Sequence, residues 1–399
     1  MKTLVFQGSV LKVGLTTALS MLTKDAYHYK TSPVKYMKIR RDKLPNQHYL
    51  KVRNIQTGIC GSDMTLYTCK QGPSTAFLNV PGSNITYMGH ETIGRVEELG
   101  KDVDKFKVGD RVTLLRYLSC CANKDLPEPC EKCREGNYAD CENYGVPSRL
   151  KQITGAGFGD YYYASQDQVI KVPDEITDDQ AVLIEPFAVG LHSVLKCPPK
   201  DNDKVLVVGT GMIGLTCIQF AKVINPKCKV YVMGHGSKRN EFAKKLGADV
   251  ILEGDPYEAV AKATGGKLYG KGSNRMILGG FDIIYDTVGK KNLFNDTLRW
   301  LKAQGTLVKV GYQMTKTKFD ETPLWWQGLN VIGVDSHGME NYKGKKAFTF
   351  QMVMDMMVEG KLITDGFITH KFKLDDYKDA FRMIIEHRRD TIKVVLECQ

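Results

Sequence analysis

Three short stretches hold side chains that can do chemistry. Gly58-Ile59-Cys60-Gly61-Ser62-Asp63 offers a thiolate with a hydroxyl two residues further on. Gly89-His90-Glu91 offers an imidazole beside a carboxylate, and Glu185-Pro186 adds a second acid. Taken alone, each has an ordinary explanation: Cys60 as a small buried hydrophobe, His90 as a hydrogen-bonded core residue, Glu185 as an acid at a helix start. A fourth stretch is harder to set aside. Five of the eleven cysteines, Cys120, Cys121, Cys130, Cys133 and Cys141, crowd into one segment. In a long chain without a clear secretion signal, such crowding argues for metal rather than disulfides.

A fifth stretch has a ligand written into its geometry. The apolar run Val205-Leu206-Val207-Val208 leads into Gly209-Thr210-Gly211-Met212-Ile213-Gly214, and helical spacing follows. Between a strand and a helix, Gly209 permits the tight turn and Gly211 lets a pyrophosphate approach the backbone. Gly214 lets helix and strand pack closely, while the helix start at Met212 and Ile213 supplies amide donors. The strand that should end on a ribose-binding acid ends instead on Gly234, followed by His235-Gly236-Ser237-Lys238-Arg239. Without an acid to repel a 2′-phosphate, and with Ser237, Lys238 and Arg239 able to donate to one, the pattern favours NADP over NAD.

The surrounding elements fit these motifs. The first ~180 residues read as short strands (50–55, 93–98, 111–115) broken by Gly, Pro and Asp. From Asp179 the texture alternates: a helix over 180–195 bent or restarted at Pro186, strands at 204–208, 229–233, 249–252, 281–286 and 307–310, and helices at 212–224 and 239–246. Alternation of this kind predicts a parallel sheet wound on both faces. After about residue 335 the chain is expected to rejoin the first domain through helices at 347–359 and 374–386 and a strand at 392–396.

These motifs, in this order, resemble the zinc-containing medium-chain dehydrogenase family. Gly58–Asp63, Gly89–Glu91, Val108–Val112, Glu185-Pro186, Gly209–Gly214 and Lys393-Val394-Val395-Leu396 all fit its pattern. Glu185, where classical alcohol dehydrogenases have Cys, resembles the polyol, sugar and threonine dehydrogenases. The resemblance implies an α/β chain with a GroES-like β-rich catalytic domain (1–186 and 336–399, with a metal lobe at about 117–145) and a Rossmann domain (187–335). It implies hydride transfer between an alcohol, polyol or sugar CH–OH group and NADP or NAD. A threonine-type or secondary-alcohol dehydrogenase using NAD is the rival within the family. A non-catalytic cofactor-binding or redox-sensing protein is the rival of another class.

The resemblance also assigns roles. Cys60, His90 and a carboxylate hold a catalytic zinc, with either Glu91 or Glu185 ligating directly and the other acting through water. Asp63 orients a ligand, and Ser62 takes the hydroxyl proton; Thr65 stands where many relatives carry a relay histidine. Cys130, Cys133 and Cys141 match a structural zinc site whose usual first ligand is displaced, since Pro127 occupies its place. Cys121 is chosen on loop length, with Cys120 as the alternative. Thr287, Val288 and Gly311 line the cofactor, and the Trp325-Trp326 region pairs subunits into a homodimer or homotetramer. Substrate walls are expected from loops carrying Tyr67, Phe77, Tyr87 and Tyr117 and from near His337, where an ordinary loop histidine is the plainer reading.

Composition narrows the classes. The chain has 399 residues, 42% hydrophobic and 25% charged, as in ordinary globular proteins. Its net charge of +11 is spread along the sequence, with local clusters at 38–43 and 343–346, so nucleic acid is not expected as a partner. No run approaches the ~20 apolar residues that cross a bilayer, and no membrane partner is expected. The N-terminal Met1-Lys2-Thr3-Leu4-Val5-Phe6 faintly resembles an export signal, but Lys12 interrupts the apolar stretch; the expected compartment is the cytoplasm.

Overall fold

The computed structural model describes residues 1–39, 43–70, 75, 85–117, 119–121, 126–146, 154–290, 292–312 and 317–398. Phe77, Arg40, Arg41 and residues 122–125 of the cysteine-rich segment lie outside that set. The chain divides into two compact units, Met1–Glu185 with Phe367–Gln399, and Pro186–Gly366.

The first unit is β-rich. Its strands begin β1 (Lys2–Gln7), β2 (Val34–Lys38), β3 (Tyr49–Gly58), β4 (Ile85–Tyr87), β5 (Glu91–Leu99), β6 (Arg111–Leu114), β7 (Tyr161–Ser165) and β8 (Val169–Lys171). β1 lies between β2 and β4 in an antiparallel sheet. The apolar N-terminus is therefore a structural strand, with Leu4, Val5 and Phe6 fully buried. Helix α1 (Val10–Ser20) follows, its start capped by the Ser9 hydroxyl, which accepts from Lys12 N at 3.4 Å. Leu4, Phe6, Val13, Tyr67, Phe158 and Phe381 share one core cluster. Tyr67 stacks on Phe381 with ring centroids 3.9 Å apart and its hydroxyl lies 2.6 Å from His28 Nδ1. The expected wall residue Tyr67 is a core residue instead.

The second unit carries the alternating pattern. In chain order it holds β9 (Lys204–Val208), β10 (Lys229–Met233), β11 (Val250–Ile251), β12 (Lys267–Tyr269), β13 (Met276–Leu278), β14 (Phe281–Asp286), β15 (Leu301–Lys309), β16 (Asn330–Gly333), β17 (Met339–Tyr342) and β18 (Lys345–Phe348). Six of these form a parallel sheet in the order β11-β10-β9-β14-β15-β16. Numbered by appearance within the sheet, that is 3-2-1-4-5-6, the doubly wound order of dinucleotide-binding folds, whose ligand crevice opens where the winding reverses, between β9 and β14. Val205, Leu206, Val207, Ile284 and Leu307 are fully buried, as strands covered on both faces require.

This unit runs past the expected return at residue 336. Residues 338–366 stay with it because their polar groups are satisfied there: Gln219 exchanges hydrogen bonds with Ile363 N and O at 2.7 and 3.3 Å. Glu340, on β17, lies 2.9 Å from both His192 Nδ1 and Lys196 Nζ. His337 sits in the loop before β17, as the plainer reading expected, and is buried there against Phe348 and Phe350, with centroids 5.4 and 4.6 Å away. Only then do β19 (Ile368–Lys373) and β20 (Lys393–Glu397) return to the first unit. There they extend a seven-stranded sheet in the order β19-β20-β3-β5-β6-β8, with β7 also on β3.

Burial alone would raise the Glu340 carboxyl, but His192 and Lys196 beside it prevail and hold it below the ordinary glutamate value. A depressed folded pKa contributes stability that is present above the unfolded value, about 4.3, and is lost as pH falls through the folded one. Glu340→Gln should therefore destabilise the second unit by about 1–2 kcal/mol at neutral pH, with the deficit closing as the pH falls below the folded carboxyl's depressed value. Urea melts followed by tryptophan fluorescence read this unit alone, since all three tryptophans lie in it. An equal deficit at neutral and at acid pH would contradict the account.

Candidate functional site

Antiparallel register brings the chemistry-bearing stretches together. β3 and β5 pair so that Gly58 stands opposite Glu91. The turn after β3 then carries Cys60, and the turn before β5 carries His90. A Cβ at position 58 would collide with the Glu91 carboxylate, so glycine is required there. Cys60 occupies the N-cap of helix α2 (Gly61–Tyr67), whose first turn holds Ser62 and Asp63. The buried Asp63 carboxylate accepts from Cys60 N at 3.0 Å and from Gly89 N at 3.2 Å. One side chain thus clips the two turns to each other.

One ligand atom each from Cys60, His90 and Glu91 lie within 4.8 Å of one another. Glu185, buried like Glu91, stands in the first turn of the helix Ile184–Lys196 and outside that group of three, though its charge is felt at Cys60. Sulfur, imidazole nitrogen and carboxylate oxygen at this separation are a donor set suited to zinc.

Electrostatics explains why these groups need cations. Burial pushes the Cys60 thiol up to about 12, and the Glu91 charge adds to it. Burial likewise raises Asp63 to about 7 and Glu185 to about 8. Two cations from the chain answer them. Lys393, on β20, donates from its ammonium to Glu91 Oε2 and to Ile59 O, the latter at 3.3 Å. It is 2% exposed and Glu91 1%; burial would lower its pKa, but the Glu91 and Cys60 charges more than reverse that. Arg116 keeps an exposed side chain near the Tyr117 ring, and Tyr117, Cys60, Glu185 and Asp63 raise its pKa against the opposing effect of desolvation. Sequence reasoning missed both cations as parts of the site. Lys393 lies 302 residues from Glu91, and only the pairing of Val395 with Gly58 brings it there.

The cysteine-rich segment forms a second donor cluster. One sulfur each from Cys120, Cys130, Cys133 and Cys141 lie within 4.8 Å of one another. Cys120 takes the place that loop length suggested for Cys121. Of the two neighbours, Cys120 is the one buried with Cys133 and Cys141, and its sulfur is the one grouped with theirs, while Cys121 is half-buried outside the group. Cys130 N donates to the Cys120 sulfur at 3.3 Å. Burial works against the Cys130 thiolate, but the amides of Cys133 and Glu142 prevail and draw the thiol down to about 7. Four sulfurs with backbone N–H donors fit a closed tetrahedral zinc site. The remaining cysteines Cys69, Cys197, Cys217, Cys228 and Cys398 are free thiols.

In the second unit, the glycine loop has the form its spacing implied. Gly209 has φ +105°, and Gly211 caps the helix Met212–Ile224. A Cβ at Gly214 would strike Gly209 O, whereas one at Gly211 would meet nothing within 4 Å. The helix start, with Met212 and Ile213 in its first turn, carries no acid and no side-chain cap, leaving its N–H groups and dipole for an anion. Thr287, after β14, donates from N and Oγ1 to Val208 O at 3.1 and 2.8 Å, which places it beside Gly209 at the winding reversal. Val288 touches the same turn, and Gly311 abuts Gly289. Ser237, Lys238 and Arg239 form the first turn of the helix Ser237–Lys245. Gly234 has a steric reason beyond charge, because a Cβ there would run into the Thr210 side chain.

Comparison with known proteins agrees with this geometry. Residues 46–174 match the family described as alcohol dehydrogenase GroES-like domain, and residues 213–350 match zinc-binding dehydrogenase. The sorbitol dehydrogenase of Bacillus subtilis (strain 168) is 27% identical over 354 residues, covering 88% of this chain and 90% of its own. The D-arabitol-phosphate dehydrogenase of Enterococcus avium is 28% identical over 346 residues, covering 86% and 87%. The crystal structure of 2R,3R-butanediol dehydrogenase from Bacillus subtilis superposes with a TM-score of 0.73 at 23% identity, covering 99% of both chains. The chain belongs to the zinc-dependent medium-chain alcohol dehydrogenase family.

Proposed function

We propose that this protein transfers hydride between the CH–OH group of a polyol or sugar and NADP. The observation that carries this reading is the register-fixed trio of Cys60, His90 and Glu91, in one chain with a glycine-loop cofactor unit. Cys60, His90 and Glu91 would hold a catalytic zinc, and Glu185, whose charge is felt at Cys60, would orient a water beside them. A zinc held there would supply Lewis-acid polarisation of the substrate's oxygen. Asp63 keeps the two ligand turns in place, and Lys393 fixes the Glu91 carboxylate from behind. Ser62 Oγ takes the hydroxyl proton; with Thr65 donating its hydroxyl to Gly61 O at 3.1 Å, the onward route runs through water. The relatives' names, sorbitol and arabitol-phosphate dehydrogenase, support a polyhydroxylated substrate over a simple alcohol.

A second zinc belongs to Cys120, Cys130, Cys133 and Cys141. Metal analysis should find two zinc ions per chain. Cys60→Ala should remove one of them and lower polyol turnover about a thousandfold. Cys120→Ser should remove the other, and Cys121→Ser neither. Undiminished turnover in the Cys60→Ala,His90→Ala double variant would refute the mechanism.

The NADP preference rests on the cations at the start of the helix Ser237–Lys245, since Gly234 is needed for packing whatever the cofactor. Lys238→Ala with Arg239→Ala should lower kcat/KM for NADP about tenfold or more and leave that for NAD nearly unchanged. Equal losses with both cofactors would remove the argument.

The protein is further proposed to be a cytoplasmic homodimer or homotetramer. Trp325 and Trp326 are 81% and 60% exposed just before β16, the edge strand of the six-stranded sheet. Aromatic residues beside an open strand edge favour association. Sedimentation equilibrium should give a dimer or tetramer that Trp325→Ser,Trp326→Ser weakens; a monomeric wild-type chain would exclude it.

A further inference from the structure

Helix α1 is inverted relative to an ordinary surface helix. Its buried side carries Val13 and Thr16. Its solvent side carries Val10, Leu11, Leu15 and Ala18, and the stripe runs on past the helix end to Met21 and Leu22. Leu11, Leu15 and Ala18 follow at spacings of four and three, so they lie in one line along the helix, and Met21 and Leu22 are exposed in the turn after it. Leu11 is 80% exposed, Met21 82% and Leu22 86%. No polar side chain interrupts the line. Single exposed apolar residues need no explanation, but a contiguous stripe marks a contact surface.

Charge says which contact. From Met1 to Lys24 the sequence holds no Asp or Glu. Lys12 lies on the flank of the helix, Lys24 beyond its end, and Lys35 on the neighbouring β2, its ammonium reaching Lys30 O. Partial burial lowers the pKa of the Lys35 ammonium, and the nearby Lys12 charge adds to that. The nearest acid in sequence, Asp25, is engaged by Arg382 at 3.5 Å. An apolar line rimmed by cations matches an anionic bilayer surface, where leucine and methionine side chains enter the acyl boundary and lysines reach the lipid phosphates and carboxylates. No helix among the described residues is long and apolar enough to cross a membrane, so the attachment lies in the interface.

We propose that α1 and the turn after it dock this protein reversibly on anionic lipid bilayers, with Leu11, Leu15, Met21 and Leu22 inserted and Lys12, Lys24 and Lys35 at the headgroups. Neither zinc cluster nor the glycine loop takes part, so attachment and turnover are separable. The strength expected is that of one short acyl anchor, about 10⁴ M⁻¹.

The test is flotation of the full-length protein with vesicles of phosphatidylcholine, with and without phosphatidylserine. The wild-type chain should float with the phosphatidylserine vesicles, release in high salt, and bind phosphatidylcholine alone far more weakly. Leu11→Ser,Leu22→Ser should weaken flotation about tenfold or more, and Lys24→Gln about fivefold, with thermal midpoint and dehydrogenase turnover unchanged. Three results would overturn the proposal: no flotation with phosphatidylserine vesicles, flotation that the leucine variant leaves intact, or equal binding to neutral vesicles. A fourth is self-association of the wild-type chain that the leucine variant abolishes, which would seat a second copy on the stripe.

Discussion

The buried carboxyls of Asp63, Glu91 and Glu185 lie close to the half-buried Cys60, and acidic groups crowded in so low a dielectric need cations beside them to stay ionised. That constraint orders the first unit. Lys393 answers part of the charge, and a divalent ion held by Cys60, His90 and Glu91 would answer more. Lys393 arrives only because the chain, after completing the second unit, returns to lay β20 against β3. Antiparallel pairing then does the fine positioning: Gly58 opposite Glu91 sets the separation of the two ligand turns, and Val395 opposite Gly58 sets the lysine. The metal site is in this sense a product of strand register.

The second unit meets a different demand, an anion beside a helix start. Here close backbone approach matters more than charge burial. Gly214 packs the helix against the Gly209 turn, Thr287 ties the end of β14 to the end of β9, and the acid-free first turn leaves amide donors uncommitted. Gly234 shows that one residue can answer two constraints. Its hydrogen side chain both avoids Thr210 and leaves the end of β10 without an acid.

Much of this was legible in the sequence, for identifiable reasons. The helix Met212–Ile224 and the strands Lys229–Met233 and Phe281–Asp286 were read to the residue because buried parallel strands are continuous apolar runs punctuated by glycine or acid. Cys60, His90 and Glu91 could be named from local motifs, but their meeting is a matter of pairing across the sheet. Cys120 and Cys121 could not be told apart, since spacing along the chain says nothing about which sulfur points inward. The boundary at 336 was set too early because Gln219 with Ile363, and Glu340 with His192 and Lys196, are contacts between distant stretches. Helix α1 went unread because its apolar residues face solvent, against the rule by which such periodicity is interpreted.

The Lys393–Glu91 pair separates stability from function. Replacing a buried ion pair by apolar groups of similar size is often neutral or stabilising, so the fold alone gives little reason to keep it. Positioning gives a strong one. An unrestrained Glu91 carboxylate could rotate away from Cys60 and His90, whereas a lysine anchored at Ile59 O and bonded to Oε2 restricts that rotation. The anchor is the carbonyl between Gly58 and Cys60, so any shift of the lysine would be felt by the sulfur donor as well as the oxygen donor. The desolvation cost of about several kcal/mol per ion is thereby tied to a geometric result, two donor atoms of different chemistry held by one cation.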